Sequence, residues 1–189
     1  MVLAQTLDCA CNVILEHEAQ LNALDARVGD GDTGSTLATA ARYLQKNLHK
    51  LPLAKQDQFF AALSQAMTQT IGGSSGVLLA IFFSAAAQSA SKDWKMALQK
   101  GLERTMSYGG AKPGDRTMLD ALVPALATLG KGESLGAAAS AARKGADATA
   151  RMTRARAGRS SYVSAGNLMG TNDPGAETVA LLLEGLSRV

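Results

Sequence analysis

Three aspartates stand close together near the amino end of the chain, since Asp25, Asp30 and Asp32 lie within eight consecutive residues. Carboxylates at this spacing repel one another, and a hard divalent cation that takes oxygen ligands relieves the repulsion. Glycines between and after the aspartates allow the backbone to turn so that the three side chains can converge. The segment therefore predicts a Mg²⁺ site.

Hydroxyl groups follow the aspartates at a point where a helix is predicted to begin. This stretch consists of Thr33, Gly34, Ser35 and Thr36. A second glycine-rich stretch, 72–76, carries Ser74 and Ser75 ahead of another predicted helix. Hydroxyls and backbone N–H groups at a helix N-terminus bind phosphate. Beside a cation site, the two stretches indicate a ligand that is a magnesium-bound phosphate.

Two later segments complete the candidate site. In the stretch 108–118, Gly109 would let a flat base approach the backbone, and Met118 would form a pliable wall. In the long irregular stretch 155–174, Arg159 would stabilise negative charge that develops on a polyphosphate. The turn ahead of the last predicted helix is formed by Asp173, Pro174 and Gly175.

Other motifs fit the sequence less well. An EF-hand loop that begins at Asp30 would have Ala41 at position twelve, where a bidentate Glu is needed. The stretch 72–76 matches the G-x-S-x-G nucleophile elbow, but His17 and His49 both precede it, and the triad order requires a later histidine. No P-loop motif occurs in the sequence. A solvated acidic turn, an ordinary turn between helices and a surface charge stay open as interpretations of the aspartates, the serines and the arginine.

Helices must position these segments, because apolar residues recur at helical spacing in eight places and no stretch has the pattern of a strand. The predicted helices are a first one bearing Leu3, Leu7, Cys11 and Ile14, then 34–48, 56–70, 77–90, one capped by Asp93, one opened by Asp115, 134–152 and 175–186. Two helices separate each candidate loop from the next, so an up-and-down arrangement brings all four loops to one end. The sequence therefore predicts an all-α antiparallel bundle with the site at that end.

The composition agrees with packed helices and argues against several classes of protein. Of the 189 residues, 47% are hydrophobic but 4% aromatic, which fits close helix packing better than a β-sandwich. A net charge of +3 and an arginine run at 151–159 without aromatics argue against nucleic acid as a partner. The longest apolar stretch, 76–87, is too short to span a membrane, and nothing resembles a signal peptide, so we expect a cytoplasmic location.

Together the four segments resemble the nucleotide-binding domain of dihydroxyacetone kinases. The shared stretches are 24–34, 72–76, 114–118, 158–162 and 173–175, in the order of that family. The resemblance implies a single nucleotide-binding domain over residues 1–189, folded as a barrel of eight antiparallel helices with the nucleotide at one end.

The resemblance also implies roles for individual residues. Asp25, Asp30 and Asp32 would hold two Mg²⁺ ions on the phosphates of ATP or ADP, and Arg159 would take part in both binding and catalysis. The remaining nucleotide contacts that it implies are Thr33, Gly34, Ser35, Thr36, Ser74, Ser75, Gly109, Met118, Asp173, Pro174 and Gly175.

A partner follows from the same resemblance. In this family a different domain holds the sugar through a covalent link to a histidine, so the chain would act as a kinase only with a dihydroxyacetone-binding domain or subunit. One branch uses ATP as an exchangeable substrate; the other keeps ADP bound and is rephosphorylated by a phosphocarrier protein. Where that second branch commonly has His and Ala, this chain has Thr33 and Ser74, which favours the ATP branch. A non-catalytic nucleotide- or lipid-binding helical module, and a homodimer, stay open.

Overall fold

The computed structural model of the chain describes residues 2–89 and 93–188, and over those residues it is helical without strands. Its α-helices are α1 (Val2–Glu16), α2 (Glu18–Val28), α3 (Thr33–Asn47), α4 (Gln56–Thr70), α5 (Gly73–Ala87), α6 (Trp94–Gly109), α7 (Leu119–Gly130), α8 (Leu135–Thr149), α9 (Ala165–Leu168) and α10 (Pro174–Leu186). Two 3₁₀ turns cover Leu48–Lys50 and Arg159–Tyr162. In this part of the chain, no helix combines the length and the hydrophobicity that crossing a bilayer requires.

The long helices form a closed ring. The α1–α2 arm packs against α3, and each following long helix packs against the next one as far as α8. α10 then packs against both α8 and α1, which closes the ring. Short connections join the consecutive long helices from α2 to α8, so these neighbours run in opposite directions, whereas the longer segment 150–173 joins α8 to α10. With α1 and α2 counted as one bent arm, the ring has eight members, and the predicted antiparallel up-and-down bundle is confirmed.

A helix that was not predicted, α2, follows the first predicted helix at His17, whose backbone leaves helical geometry with φ −103° and ψ 10°. The helical hydrogen bonds continue across it, from His17 N to Val13 O and from Leu21 N to His17 O. The arm therefore bends at this residue without ending there. A second addition to the predicted pattern is α9, a single helical turn inside the stretch that we expected to be irregular.

Two helices begin at residues other than those expected. α5 starts at Gly73, four residues before the predicted start, because Gly72 in extended conformation serves as its N-cap. Its predicted end at Ala90 lies outside the described residues. α7 starts at Leu119 and not at Asp115, because the Asp115 carboxylate accepts a hydrogen bond from Lys112 N in the preceding turn. The predicted helix start at Asp115 was therefore wrong.

The ring encloses two apolar clusters. One lies mainly between α1, α3, α4 and α5 and contains the aromatic pair Phe59 and Phe60. The other lies between α5, α6, α7, α8 and α10 and is rich in alanines, namely Ala121, Ala125, Ala138, Ala142, Ala146, Ala176 and Ala180. Small side chains let neighbouring helices approach closely, so this half of the ring is a tightly packed frame for the loops at its end.

A third, smaller apolar cluster lies beneath the loops themselves. It joins Val28 at the end of α2 to Ala155 and Leu168 of the segment between α8 and α10, with Val163 packed against them. Val28 and Leu168 are almost completely buried. The long segment is therefore held against the first loop by burial of apolar surface.

Candidate functional site

The three aspartates converge at one end of the ring. One carboxylate oxygen from each of Asp25, Asp30 and Asp32 lies within 4.8 Å of the others. Asp25 is buried near the end of α2, whereas Asp30 and Asp32 are exposed in the following loop. A set of oxygen donors at these distances is suited to a hard divalent cation, and the donor chemistry fits Mg²⁺.

Asp25 also fixes the loop that carries its two neighbours. Its Oδ2 accepts hydrogen bonds from the backbone N–H groups of Gly31, Asp32 and Thr33 at 3.0, 3.0 and 3.1 Å. Asp32 is the N-cap residue of α3, yet its side chain makes no capping hydrogen bond. The carboxylate of Asp32 is therefore available to a ligand, while that of Asp25 serves the fold as well.

The first turn of α3 is locked onto α2 by a residue that the sequence analysis did not single out. Asn22 donates from Nδ2 to Ser35 Oγ at 2.8 Å and accepts from Ser35 N at 3.0 Å. Gly34 packs so closely that a Cβ at this position would overlap the Glu18 carbonyl oxygen. Thr33 and Thr36 lie in the same turn and are partly exposed. The helix start that was predicted to bind phosphate is thus rigidly placed beside the aspartates.

Arg159 of the fourth loop contacts the acidic cluster directly. Its Nη1 lies 2.8 Å from Asp30 Oδ2, and its side chain is 71% exposed. The residue opens the 3₁₀ turn Arg159–Tyr162, which the apolar cluster around Val28 and Leu168 holds near the end of α2. The fourth loop therefore contributes a cation to the acidic cluster.

The other loops are linked to this region by direct contacts. Arg156 N donates to Asp115 O at 3.0 Å, which joins the fourth loop to the third. A Cβ on Gly109, the last residue of α6, would lie 3.1 Å from Leu78 Cδ2 on α5. These contacts agree with the prediction that the loops before α3, α5, α7 and α10 gather at one end.

Ser74 and Ser75 occupy the first turn of α5 and are exposed. Backbone N–H groups in a first helical turn lack intrahelical partners, so this turn offers donors to an anion. Within the described part of the chain, neither serine forms a hydrogen bond with the three aspartates. The structure thus brings them to the same end of the ring without joining them directly to the acidic cluster.

The third loop is built around two buried carboxylates. Asp120 accepts from Gly114 N at 2.6 Å and from Thr117 N at 2.8 Å, and Asp115 accepts from Lys112 N at 2.9 Å. Asp120 had not been singled out, because a lone acid in the first turn of an apolar helix is ordinary in a sequence. These bonds fix Met118, which is half-buried and precedes α7.

The turn before α10 is almost entirely buried. Asp173 is the N-cap of this helix and accepts from Ala176 N at 2.9 Å, with Pro174 in the first helical turn. Burial raises the pKa of the Asp173 carboxyl to about 6, although the bond from Ala176 N and the nearby Arg116 guanidinium act in the opposite direction. The turn is therefore better suited to packing against a ligand than to binding a cation.

The geometry as a whole defines a class of protein, a closed barrel of antiparallel helices with an acidic and glycine-rich site at one end. The model of the DAK2 domain matches residues 27–188 of the chain. This match covers most of the sequence, and the chain belongs to the DAK2 domain family.

Relatives of known name agree with this assignment. The chain is 44% identical over 191 residues to the dihydroxyacetone kinase of Citrobacter freundii, covering 98% of this chain and 35% of the relative. It is 40% identical over 200 residues to the human triokinase/FMN cyclase, covering 99% and 35%. The chain thus spans about a third of the length of these relatives.

Solved structures match the whole ring. The native crystal structure of the C. freundii dihydroxyacetone kinase superposes with a TM-score of 0.88 at 42% identity, over 99% of this chain and 34% of that one. The structure of the same enzyme in complex with AMP-PNP and Mg²⁺ gives a TM-score of 0.85 at 41% identity, over 99% and 33%. The all-α barrel predicted from the resemblance is confirmed.

Proposed function

We propose that residues 1–189 form one nucleotide-binding domain that binds ATP or ADP with Mg²⁺ at the loop end of the barrel. The domain transfers the γ-phosphoryl group of ATP to dihydroxyacetone, which a separate substrate-binding domain or subunit holds. It is a kinase only in the presence of that partner.

The observation that carries this proposal is the convergence of Asp25, Asp30 and Asp32, with oxygens within 4.8 Å, in a chain that is 44% identical to a dihydroxyacetone kinase. The C. freundii enzyme whose structure contains AMP-PNP and Mg²⁺ has the same fold, which supports ATP and Mg²⁺ as ligands here. We propose that the three carboxylates hold two Mg²⁺ ions.

The chain contributes binding and orientation. When bound, Mg²⁺ supplies neutralisation of charge on the β- and γ-phosphates. At the start of α3 the N–H groups of Thr33, Ser35 and Thr36 already bond within the protein, so the hydroxyls of these residues and the N–H of Gly34 would donate to phosphate oxygens. At the start of α5 the donors would be the N–H and hydroxyl groups of Ser74 and Ser75. Arg159, already 2.8 Å from Asp30, offers a guanidinium to the charge that develops during transfer.

The base of the nucleotide would bind at the part of the site formed by the third loop and the turn before α10. Gly109 is exposed at the end of α6, which allows a flat ring to approach the backbone there. Met118 is half-buried and lies against the turn formed by Asp173, Pro174 and Gly175. This wall has few charges free to bind an ion, which suits a heterocycle better than a phosphate.

A partner at this end is supported by coverage and by exposure. The match covers about a third of the length of each of these relatives, so about two thirds of each relative lies outside it. Tyr162 is 92% exposed and follows Arg159 by three residues in a 3₁₀ turn, so both side chains leave the turn on the same side. An exposed aromatic beside the reacting phosphate suits a protein contact.

ATP is the phosphoryl donor that we propose, because Thr33 and Ser74 stand where the phosphocarrier-dependent branch commonly has His and Ala. A phosphocarrier protein as the donor, a homodimer and a cytoplasmic location stay predictions.

Reconstitution tests the proposal. The purified chain is mixed with the dihydroxyacetone-binding part of the C. freundii kinase, and formation of dihydroxyacetone phosphate is measured with ATP and Mg²⁺. We expect product with both components and ATP, and none from either component alone or after chelation of Mg²⁺. Product that requires a phosphocarrier protein and not ATP would favour the other donor. Tight nucleotide binding that chelation leaves unchanged, without product, would favour a non-catalytic module.

A further inference from the structure

Arg116 is the largest of the fully buried side chains, with an exposed fraction of 0%. Its backbone has φ +61°, and among the described residues it is the one non-glycine with positive φ. A bulky residue in this region is strained, so the surrounding contacts must hold it there. The strained backbone directs a long cationic side chain into the protein.

The guanidinium of Arg116 holds the segment before α10. Its Nη2 donates to Thr171 O at 2.8 Å and lies 3.5 Å from Leu168 O. Its Nη1 lies 3.9 Å from Asp173 Oδ1. Burial lowers the pKa of Arg116, an effect that the charges of Asp173 and Asp120 oppose. One side chain thus joins the third loop to the end of the fourth.

These contacts are poor as stabilising interactions. Nε and Nη1 of Arg116 are buried without a hydrogen-bond partner, and the ion pair with Asp173 is too long for one. A buried charge that is incompletely paired costs stability. Replacement by an apolar side chain would spare that cost, so the fold alone does not account for the arginine.

Both loops have other bonds that maintain their shape. The third loop is held by Asp120, which accepts from Gly114 N and Thr117 N. The turn before α10 is held by Asp173, which accepts from Ala176 N and whose own N–H donates to Thr149 Oγ1 at 2.8 Å. Loss of Arg116 would therefore shift the two loops relative to each other without unfolding either of them.

The relative position of these loops sets the wall of the proposed base pocket. A Cβ on Gly175 would lie 3.2 Å from Met118 Cβ and 3.4 Å from Met118 N, so the two segments are in close contact. Arg116 is two residues from Met118 in sequence. Its guanidinium contacts Thr171 O and Asp173 Oδ1, just before Gly175. Loss of the Arg116 contacts would therefore change the distance between Met118 and the turn at Gly175, and with it the shape of the proposed base pocket.

We infer that Arg116 is a positioning residue, which acts through Met118 and the Asp173–Gly175 turn to fix the wall that receives the nucleotide base. This inference rests on the proposed function. Arg116 has no exposed surface and does not touch the ligand. Its loss should weaken recognition of the base while leaving recognition of the phosphates intact.

The test compares two ligands that share a triphosphate. Calorimetry on the full chain measures the affinity for ATP and for inorganic tripolyphosphate, each with Mg²⁺, at a temperature where circular dichroism shows every variant folded. For Arg116→Met we expect ATP affinity to fall about tenfold, with tripolyphosphate affinity within about twofold of the unmodified chain. The matched control is Arg143→Met, since Arg143 pairs with Glu177 and Glu184 between α8 and α10. It should lower the melting temperature and change neither affinity.

If Arg116→Met does not fold, the same measurements are made on Arg116→Lys. Lysine keeps the charge but lacks the planar guanidinium that reaches Thr171 O. We expect the same selective loss for ATP. Equal losses for both ligands, no loss for either, or unfolding of both variants would overturn the inference. Failure of the unmodified chain to bind ATP would instead refute the proposed function, and the inference with it.

Discussion

Nη1 of Arg159 lies 2.8 Å from Oδ2 of Asp30, so the fourth loop closes directly onto the acidic first loop. The Arg159 side chain is 71% exposed and that of Asp30 is 35% exposed. Exposed ion pairs contribute little to folding because water screens the charges and the side chains lose freedom. The position of this arginine beside three carboxylates therefore bears on ligand binding much more than on stability.

Replacement of Arg159 should slow phosphoryl transfer without lowering the stability of the fold. In Arg159→Ala we expect phosphoryl transfer with the partner present to fall about 10²- to 10³-fold, the usual effect of removing a group that stabilises developing charge. The melting temperature should stay unchanged because the side chain is mostly exposed. Arg151→Ala is the control, since Arg151 is also exposed and precedes the same loop. An unchanged kcat in Arg159→Ala would show that Arg159 is not a catalytic residue.

The three aspartates should respond differently to replacement by asparagine. Asp30→Asn and Asp32→Asn should abolish transfer and weaken Mg²⁺-dependent ATP binding with little change in unfolding free energy, because both residues are exposed. Asp25→Asn should also lower the unfolding free energy by about 1–3 kcal/mol, because the buried Asp25 carboxylate accepts three backbone N–H groups. Denaturant titration and the coupled kinase assay measure the two effects.

The control for this series is Asp57→Asn, in an exposed position of the first turn of α4. It should change neither the activity nor the unfolding free energy. Retained transfer in Asp30→Asn or Asp32→Asn would count against the metal site. An unaltered unfolding free energy in Asp25→Asn would show that its three hydrogen bonds do not hold the loop.

Much of this site could be predicted because its signals are local in sequence. Three aspartates within eight residues, with glycines among them, predict convergence whatever the rest of the fold does. The helical spacing of apolar residues shows that two helices separate each loop from the next, and this even number places the loops at one end. Asp25 differs in one respect, since it lies in the last turns of α2 and not in the loop itself.

The residues that the sequence could not reveal act across large separations. Arg116 contacts carbonyl groups more than fifty residues later, and nothing in its neighbourhood predicts a buried charge. Asn22 pairs with Ser35 between two helices, and an asparagine on a helix is usually solvated. The predicted helix start at Asp115 was wrong because a side-chain acceptor of this kind serves in both helix caps and turns, and here it accepts from Lys112 N in a turn.

Replacement of Gly34 would show how much the first turn of α3, which we propose to bind phosphate, depends on the contact between α2 and α3. In Gly34→Ala the added Cβ would overlap the Glu18 carbonyl oxygen and crowd Asn22, so α3 must move. We expect a loss of about 1–3 kcal/mol in unfolding free energy and weaker tripolyphosphate binding. Gly136→Ala in α8 is the control, because its Cβ would meet only Ser134 Oγ at 3.8 Å. It should keep the affinity and leave stability unchanged or slightly higher; weaker stability there, with none lost at Gly34, would contradict the argument.

The buried carboxyl of Asp173 should make the unfolding free energy depend on pH. Its folded-state pKa is raised to about 6 by burial, with the Asp120 charge adding to the effect and Arg116 opposing it. A raised carboxyl pKa means that the folded state binds the proton more tightly than the unfolded state, in which the pKa is near 3.9. The stabilising contribution of Asp173 is therefore complete below about pH 4 and is lost as the pH rises through 6.

Comparison with Asp173→Asn isolates this contribution, because asparagine keeps the N-cap acceptor but does not titrate, and every other group is shared by the two chains. Between pH 4 and pH 7, the unfolding free energy of the unmodified chain should fall relative to the variant by about 2–3 kcal/mol. Denaturant titrations at each pH measure the difference. If the ion pair with Arg116 dominated instead, the folded pKa would be low, and the difference would change with pH in the opposite direction.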